Sequence, residues 1–382
     1  MYKICFISTI PATIKGFILP TAKYLYETGE FEISVICSSA DDVADTFPSY
    51  IHFVPVEMKR GASLDGGKVI ARLVKIFIKE KFDLIQYSTP NASFYASIAG
   101  KIAKVPVRLY CQWGLAFEGF EGLKRKLFML LEKRTCKNST WIEPDSRGNL
   151  EYCRNLGFYN EEKSSVVLYG SAKGVDLETF DYTHQKEYRE EDRLKYFIPE
   201  DAFVYGFVGA LTGDKGINEL ISAFKTVSEK HLDAYLLFVG VTEKEYSLDK
   251  ELFVWAQNNN NVIFAGHSTT VPKEMAAMDC YVTASYREGF GTTVIEASAM
   301  GLPVITSDIP GPTDIIKDGV NGLVVTKKSV EELAAAMEKM YEDRELCMRL
   351  GDKGLDLVRE RYDQKMVIQA IYEDRIRLLE GK

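Results

Sequence analysis

Short apolar runs alternate with helix-patterned segments along this chain, and they do so twice over. In the first half Ile4–Ile7, Phe31–Cys37, Leu84–Tyr87, Val107–Cys111 and Ser139–Ile142 read as strands, with helices at about 17–28, 67–81, 91–104 and 121–137 between them. The second half restarts at Phe203–Val208 and continues through Ala234–Val239, Asn261–Ala265, Cys280–Thr283, Val304–Thr306 and Gly322–Val325. Helices near 216–230, 246–258, 292–300 and 329–341 separate these strands. Such alternation predicts an α/β architecture, parallel sheets with helices on both faces. At 382 residues the chain is long for one core, and two such units fit it better. The polar stretch 181–200, closed by Pro199, is the expected start of the junction. After Tyr362 comes a helix in which Ile368, Ile371, Tyr372, Ile376 and Leu379 share one face.

One turn stands out for chemistry. The strand ending at Thr283 runs into Ser285-Tyr286-Arg287-Glu288-Gly289-Phe290-Gly291-Thr292-Thr293-Val294-Ile295-Glu296, where a helix begins. Open α/β sheets bind ligands at the carboxyl ends of their strands. Free N–H groups at a helix start attract phosphate, and Gly289 and Gly291 let the chain come close to it. A carboxylate on each side, Glu288 and Glu296, repels a bare anion. The pair makes sense if the phosphates carry hydroxyl-rich groups at both ends, as in a nucleotide-sugar.

Three further loops follow strands. Thr9 to Phe17, with Lys15 and Gly16, lacks Gly-x-Gly-x-x-Gly and so gives little support to a dinucleotide site. Gly209-Ala210-Leu211-Thr212-Gly213-Asp214-Lys215-Gly216 opens a helix; Lys215 either brings an ammonium to a diphosphate or is a solvated turn residue. Phe264-Ala265-Gly266-His267-Ser268 either presents backbone groups to a flat base or is a tight strand exit.

Composition narrows the classes. Four scattered histidines and the absence of Asp-x-Asp argue against a dedicated metal site, and no cofactor is expected. Seven cysteines without a Cys-x-x-Cys pair read as reduced thiols. No apolar run reaches the roughly 18 residues of a membrane span, and Met1 to Ser8 lacks a signal-peptide pattern. A cytoplasmic protein is expected. The net charge of −8 divides unevenly: residues 1–172 carry 22 Lys+Arg against 18 Asp+Glu, the remainder 25 against 37. Between Lys59 and Lys137, 16 basic residues face 6 acidic ones, which suits an anionic partner or surface.

The motif Ser-Tyr-Arg-Glu-Gly-Phe-Gly…Glu-Ala, followed by Gly301-Leu302-Pro303-Val304-Ile305 and Asp318-Gly319-Val320-Asn321-Gly322-Leu323-Val324-Val325, resembles the retaining glycosyltransferases of the group 1, or family 4, type. Tyr169 to Asp176 is similar to the end of that family's first domain, and Gly209–Gly216 to its phosphate loop. The resemblance implies the GT-B fold, two Rossmann-like parallel-sheet domains facing across a cleft. It implies an acceptor-side domain over 1–180 that regains the C-terminal helix 365–382, and a nucleotide-sugar domain over 181–364. Glu288 would contact donor-sugar hydroxyls and Glu296 both ribose hydroxyls. Lys215, with the N–H groups of Gly291, Thr292 and Thr293, would hold the diphosphate. Gly16, Gly209, Gly266, His267, Gly289 and Phe290 complete the implied donor site. Glu288 and Lys215 are the expected catalytic pair.

Two departures from the family pattern stand in the sequence. Ala210 occupies the place of a usual phosphate-loop arginine, leaving Lys15 or Arg287 to supply charge, although Arg287 equally suits a structural ion pair. Gln112-Trp113-Gly114 replaces the usual His-Gly; Trp113 either stacks on a sugar ring or belongs to the core. Lys15, Trp113 and Gly114 are the acceptor-side candidates. The implied reaction is metal-independent transfer from a nucleotide-sugar, UDP being the commonest donor among look-alikes, to a glycan or polyprenyl-diphosphate-linked acceptor in bacterial surface polysaccharide synthesis. Nucleic acid is not an expected partner. The competing readings are a sugar-nucleotide epimerase and a non-catalytic nucleotide-sugar-binding subunit. Basic helices at Lys68–Lys79 and Gly122–Arg134 either dock the protein on the anionic inner face of the cell membrane or pack with their lysines in water.

Overall fold

The computed structural model describes residues 1–39, 46–59, 65–243 and 248–381, and the chain forms two compact units, residues 1–173 with 365–382 and residues 174–364. The first unit carries six strands: β1 (Tyr2–Ile7), β2 (Phe31–Cys37), β3 (Ile51–Pro55), β4 (Leu84–Tyr87), β5 (Val107–Gln112) and β6 (Trp141–Pro144). All pair in parallel, in the order β3-β2-β1-β4-β5-β6. The second unit repeats this with β7 (Phe203–Val208), β8 (Ala234–Val239), β9 (Val262–Gly266), β10 (Cys280–Thr283), β11 (Val304–Ser307) and β12 (Leu323–Val325). Its order is β12-β11-β10-β7-β8-β9. In both sheets the order reverses beside the first strand, between β1 and β4 and between β7 and β10.

Each sheet is buried on both faces because its strands are apolar throughout and their side chains alternate. Ile4 and Phe6 enter one core layer of the first unit while Cys5 and Ile7 enter the other. In the second unit Phe203 and Tyr205 face one layer and Val204 the opposite one. All seven cysteines are buried and unpaired with one another.

The structure departs from the sequence expectations in several places. The segment after β1 is helical from Pro11, with a π-helical turn over Ile14–Ile18, rather than a loop to Phe17. Proline at the first helical position sacrifices no hydrogen bond, so it starts the helix there. Strand β3 was not expected, being a short edge strand that ends in Pro55. The polar stretch taken as a junction contains a helix, Gln185–Lys195. Arg189 and Arg193 from this helix both bind Asp279, at 2.6 and 2.7 Å, so it packs on the second unit. Helices Arg147–Asn155 and Arg344–Arg361 were also missed. The latter contains Gly351, where a Cβ would come within 2.2 Å of the Gly301 carbonyl oxygen; the glycine permits close packing but weakens the helical signal. The expected helix near 246–258 is seen as Lys250–Gln257, its first two expected residues lying outside the described ones.

Within the second unit, the segments entering and leaving it run side by side: the Val175 N–H donates to the Tyr362 carbonyl (2.8 Å) and the Gln364 N–H to that of Val175 (2.9 Å). The last helix, Gln364–Leu379, then belongs to the first unit. Ile368 and Ile371 are buried, and Tyr372, Ile376 and Leu379 pack on the core of that unit. The same helix buries Arg375 to 1% exposure. Its guanidinium grips both Glu143 oxygens (2.5 and 2.8 Å) and donates to Gln86 Oε1 (3.0 Å) and Asp374 Oδ2 (2.7 Å). Removing one partner of such a pair strands the other charge in a low-dielectric interior. Glu143→Ala is therefore expected to cost about 3–5 kcal/mol in urea unfolding, whereas Glu143→Leu combined with Arg375→Met recovers most of that loss.

Candidate active site

In an open sheet of this order the crevice lies where neighbouring strands send their connections in opposite directions. In the second unit that place is between β7 and β10, and both loops there are drawn in by glycine. Gly209 leaves β7 at φ +148°, and a Cβ on Gly240, after β8, would lie 1.8 Å from the Gly209 carbonyl oxygen. Gly216, at φ +70°, precedes the helix Ile217–Lys230; a Cβ there would lie 2.1 Å from the Ala284 carbonyl oxygen at the exit of β10. Only a bare backbone permits these approaches. Their result is that Lys215, before the helix, meets Glu288, after β10: Nζ to Oε1 is 2.6 Å. The Ser285 hydroxyl donates to the same oxygen at 2.7 Å. The two side chains are 30% and 20% exposed, so the pair is partly sheltered from water.

A second set of contacts fastens the same two loops. Arg287 pairs with Asp214 at 2.7 Å, the Tyr286 N–H donates to the Asp214 carbonyl at 2.9 Å, and the Tyr286 hydroxyl donates to Glu219 at 2.5 Å. Arg287 thus makes the ion pair that is one of its two expected alternatives. The glycine turn beyond it buries Phe290, whose ring lies 5.4 Å from that of Tyr362. Gly291, at φ +99°, then starts the helix Thr292–Ala299, so the first N–H groups of that helix follow Glu288 within a few residues. Thr293 Oγ1 receives the Tyr281 hydroxyl at 2.7 Å. Glu296 is half-buried in the second turn.

Gly266 and His267 stand at the carboxyl end of β9, two strands from β7 and so roughly 10 Å along the sheet edge. The Gly266 carbonyl accepts the Gly240 N–H at 2.8 Å, and His267 is exposed.

In the first unit Lys15 and Gly16 are exposed on the π-helical turn. The next residue, Phe17, lies 5.6 Å from the half-buried ring of Trp113, so the segments after β1 and β5 meet. Gly114 follows at φ +124°. Thr89 was not anticipated. It holds φ +67°, rare for a β-branched residue, in the crevice between β1 and β4. Its Oγ1 is 2.8 Å from Thr9 Oγ1 and accepts the Thr9 N–H at 3.1 Å. Nothing in its sequence neighbourhood marks it except the following Pro90. Ser285 and Tyr281 were likewise missed, because a serine or tyrosine near a strand end carries no distinctive spacing.

Among the described residues one group, His231, Glu338 and Glu342, offers ligand atoms within 4.8 Å of one another. Lys230 already occupies Glu338 Oε1 at 2.7 Å. No described helix is long and apolar enough to cross a membrane.

Two family models match the chain, glycosyl transferases group 1 over residues 188–356 and glycosyl transferase 4-like over residues 3–146. The chain belongs to the group 1 glycosyltransferases. The capsular polysaccharide biosynthesis glycosyltransferase CapM of Staphylococcus aureus is 29% identical over 355 residues, 92% of either chain. An Escherichia coli UDP-Gal:alpha-D-GlcNAc-diphosphoundecaprenol alpha-1,3-galactosyltransferase is 26% identical, covering 91% of this chain and 90% of its own. Anabaena HepE, solved with UDP-glucose, shares the fold at a TM-score of 0.78 and 22% identity, over 98% of this glycosyltransferase and 99% of HepE. The paired six-stranded parallel sheets are those of the GT-B fold.

Gly216 and Gly266 share φ +70°, yet a Cβ meets Ala284 at the first and nothing within 4 Å at the second. Gly266→Ala is therefore expected to lose only the backbone preference, about 1 kcal/mol. Gly216→Ala should lose at least about 2 kcal/mol more in urea unfolding, through steric overlap.

Proposed function

We propose that this glycosyltransferase moves a sugar from a UDP-sugar to a polyprenyl-diphosphate-linked saccharide, with retained anomeric configuration and without a metal ion. The Lys215–Glu288 pair at the sheet's switch point carries the proposal. An ammonium has three N–H donors. With one on Glu288, two remain for a diphosphate, beside the helix start at Gly291, Thr292 and Thr293. Glu288, with its carboxylate held by Lys215 and Ser285, accepts hydroxyls of the donor sugar. Glu296 accepts the two ribose hydroxyls, and the backbone at Gly266 and His267 meets the base. Gly209, Gly289 and Phe290 shape the turns around them.

As the bond from the anomeric carbon to the phosphate oxygen breaks, its electron pair passes to the departing diphosphate. Lys215 and the N–H groups of the helix start stabilise that growing charge, the largest electrostatic demand of the reaction. The acceptor oxygen attacks from the same face, and its proton passes to the departing phosphate oxygen. This route requires no carboxylate nucleophile. The surface-polysaccharide and diphosphoundecaprenol names of the relatives support the acceptor class. Lys15, Gly16, Trp113 and Gly114 are proposed to line its saccharide.

Leu123, Leu127 and Leu130 of the helix Gly122–Asn138 are 84%, 54% and 65% exposed, among exposed lysines 124 and 126. Such a surface suits attachment to an anionic membrane.

Glu288→Ala and Lys215→Ala are each expected to lower turnover at least about 100-fold with unchanged unfolding transitions; undiminished turnover in both would refute the assignment. Proton NMR of the product should show the donor's anomeric configuration, and a chelator should leave the rate unaltered. Sedimentation with phosphatidylglycerol vesicles at low salt, lost at high salt, checks the attachment.

A further inference from the structure

The first unit contains a cavity of about 320 Å³ whose lining includes none of Lys15, Gly16, Trp113 and Gly114. It lies among the helices Gly66–Glu80, Pro90–Ile102 and Gly122–Asn138, and its size is at the lower end of ligand pockets, roughly 300–1,000 Å³. Ile70, Phe94, Leu127, Phe128, Leu131 and the ring of Tyr95 supply most of its wall.

Of its polar side chains, Asn91, Glu132 and Thr135 are already engaged. Glu132 Oε1 receives the Tyr110 hydroxyl (2.8 Å) and the Gln112 side-chain N–H (2.5 Å). The Thr135 hydroxyl donates to the Leu131 carbonyl (3.1 Å), and the Asn91 side-chain N–H to that of Lys59 (2.5 Å). A saccharide or nucleotide entering here would lose its water hydrogen bonds and find few replacements. A hydrocarbon chain would lose none.

The mouth carries the complementary features. Leu127 belongs both to the wall and to the exposed stripe with Leu123 and Leu130, so the apolar surface runs from the cavity outwards. Two helices begin at the wall, at Gly66 and at Pro90, and present their partial positive ends there. Exposed Lys68 and Lys124 stand on the same helical segments as the wall residues. Asp65, heading the first helix, is paired with Lys59 at 3.3 Å.

We infer that the cavity takes the first isoprene units of the acceptor's polyprenyl chain, with the diphosphate at its basic mouth. This rests on the lipid-linked acceptor proposed above. The saccharide carried by that diphosphate would extend away from the apolar wall.

Calorimetric titration of the full chain with farnesyl diphosphate tests the inference. Gly67→Trp and Ala116→Trp would fill the cavity; a Cβ at Gly67 meets nothing within 4 Å, so the fold accommodates that change. Each substitution should weaken farnesyl diphosphate binding at least about tenfold while leaving UDP affinity and the melting transition unchanged. Wild-type affinity in both variants, or no binding to the wild type, would overturn the inference. So would displacement of farnesyl diphosphate by polyprenol-free phosphatidylglycerol vesicles, which would assign the cavity to membrane acyl chains. Transfer of radiolabelled sugar separates this result from the underlying reading. Label on a water-soluble glycan alone refutes the lipid-linked acceptor. Label on a lipid-linked saccharide, with KM unchanged in Gly67→Trp, refutes only the cavity's role.

Discussion

The buried fork between Arg375 and Glu143 holds the last helix of the chain in the first unit. A charge withdrawn from water is tolerated only with its hydrogen bonds made. Gln86 on β4, Glu143 on β6 and Asp374 on the helix supply them together. The helix thus has one position in which its arginine is satisfied. Phe17 and Trp113, the latter one of the proposed acceptor-side residues, line the same small hollow as Arg375 and Ile371 of the docked helix. Apolar packing by Ile368 and Ile371 contributes the hydrophobic stabilisation, while the ion pair specifies where that packing occurs.

The second unit meets its positional demand by a different means. Its two central loops carry no deeply buried charge; they are drawn together by the absence of side chains. Gly216 against Ala284 and Gly240 against Gly209 bring backbones into contact that any Cβ would separate. Ion pairs then lock what the glycines permit, with Asp214 on one loop held by Arg287 of the other. A sheltered Lys215–Glu288 pair follows from this geometry and presents ammonium and carboxylate side by side. In the proposed reaction neither group needs to travel to meet a ligand that carries both phosphates and hydroxyls, which lowers the reorganisation required during transfer.

The two units share one strand order and differ in what surrounds it. The second places glycine turns and helix starts at its switch point, suited to phosphate. The first places Thr9 and the strained Thr89 there, and adds an apolar cavity and an uncovered leucine stripe on its outer helices. The basic excess between Lys59 and Lys137 falls on this unit, and the helices bordering the cavity carry much of it. Donor and acceptor chemistry are thereby assigned, in the proposed reaction, to separately folded bodies.

The sequence by itself determined the parallel α/β class, eleven of the twelve strands among the described residues and the final helix, because apolar runs and helical spacing are local patterns. It also pointed to Glu288 and Lys215, which stand in glycine loops after strands. Their pairing, and the structural duty of Arg287, were decided by tertiary structure, since they depend on contacts between segments about seventy residues apart. Arg375 carries no mark in the sequence, because burial of a cation becomes intelligible only with Glu143 and Gln86 in place. Thr89 and the cavity escaped for the same reason. A strained dihedral and an unfilled space arise when elements pack, and no run of neighbouring residues encodes either.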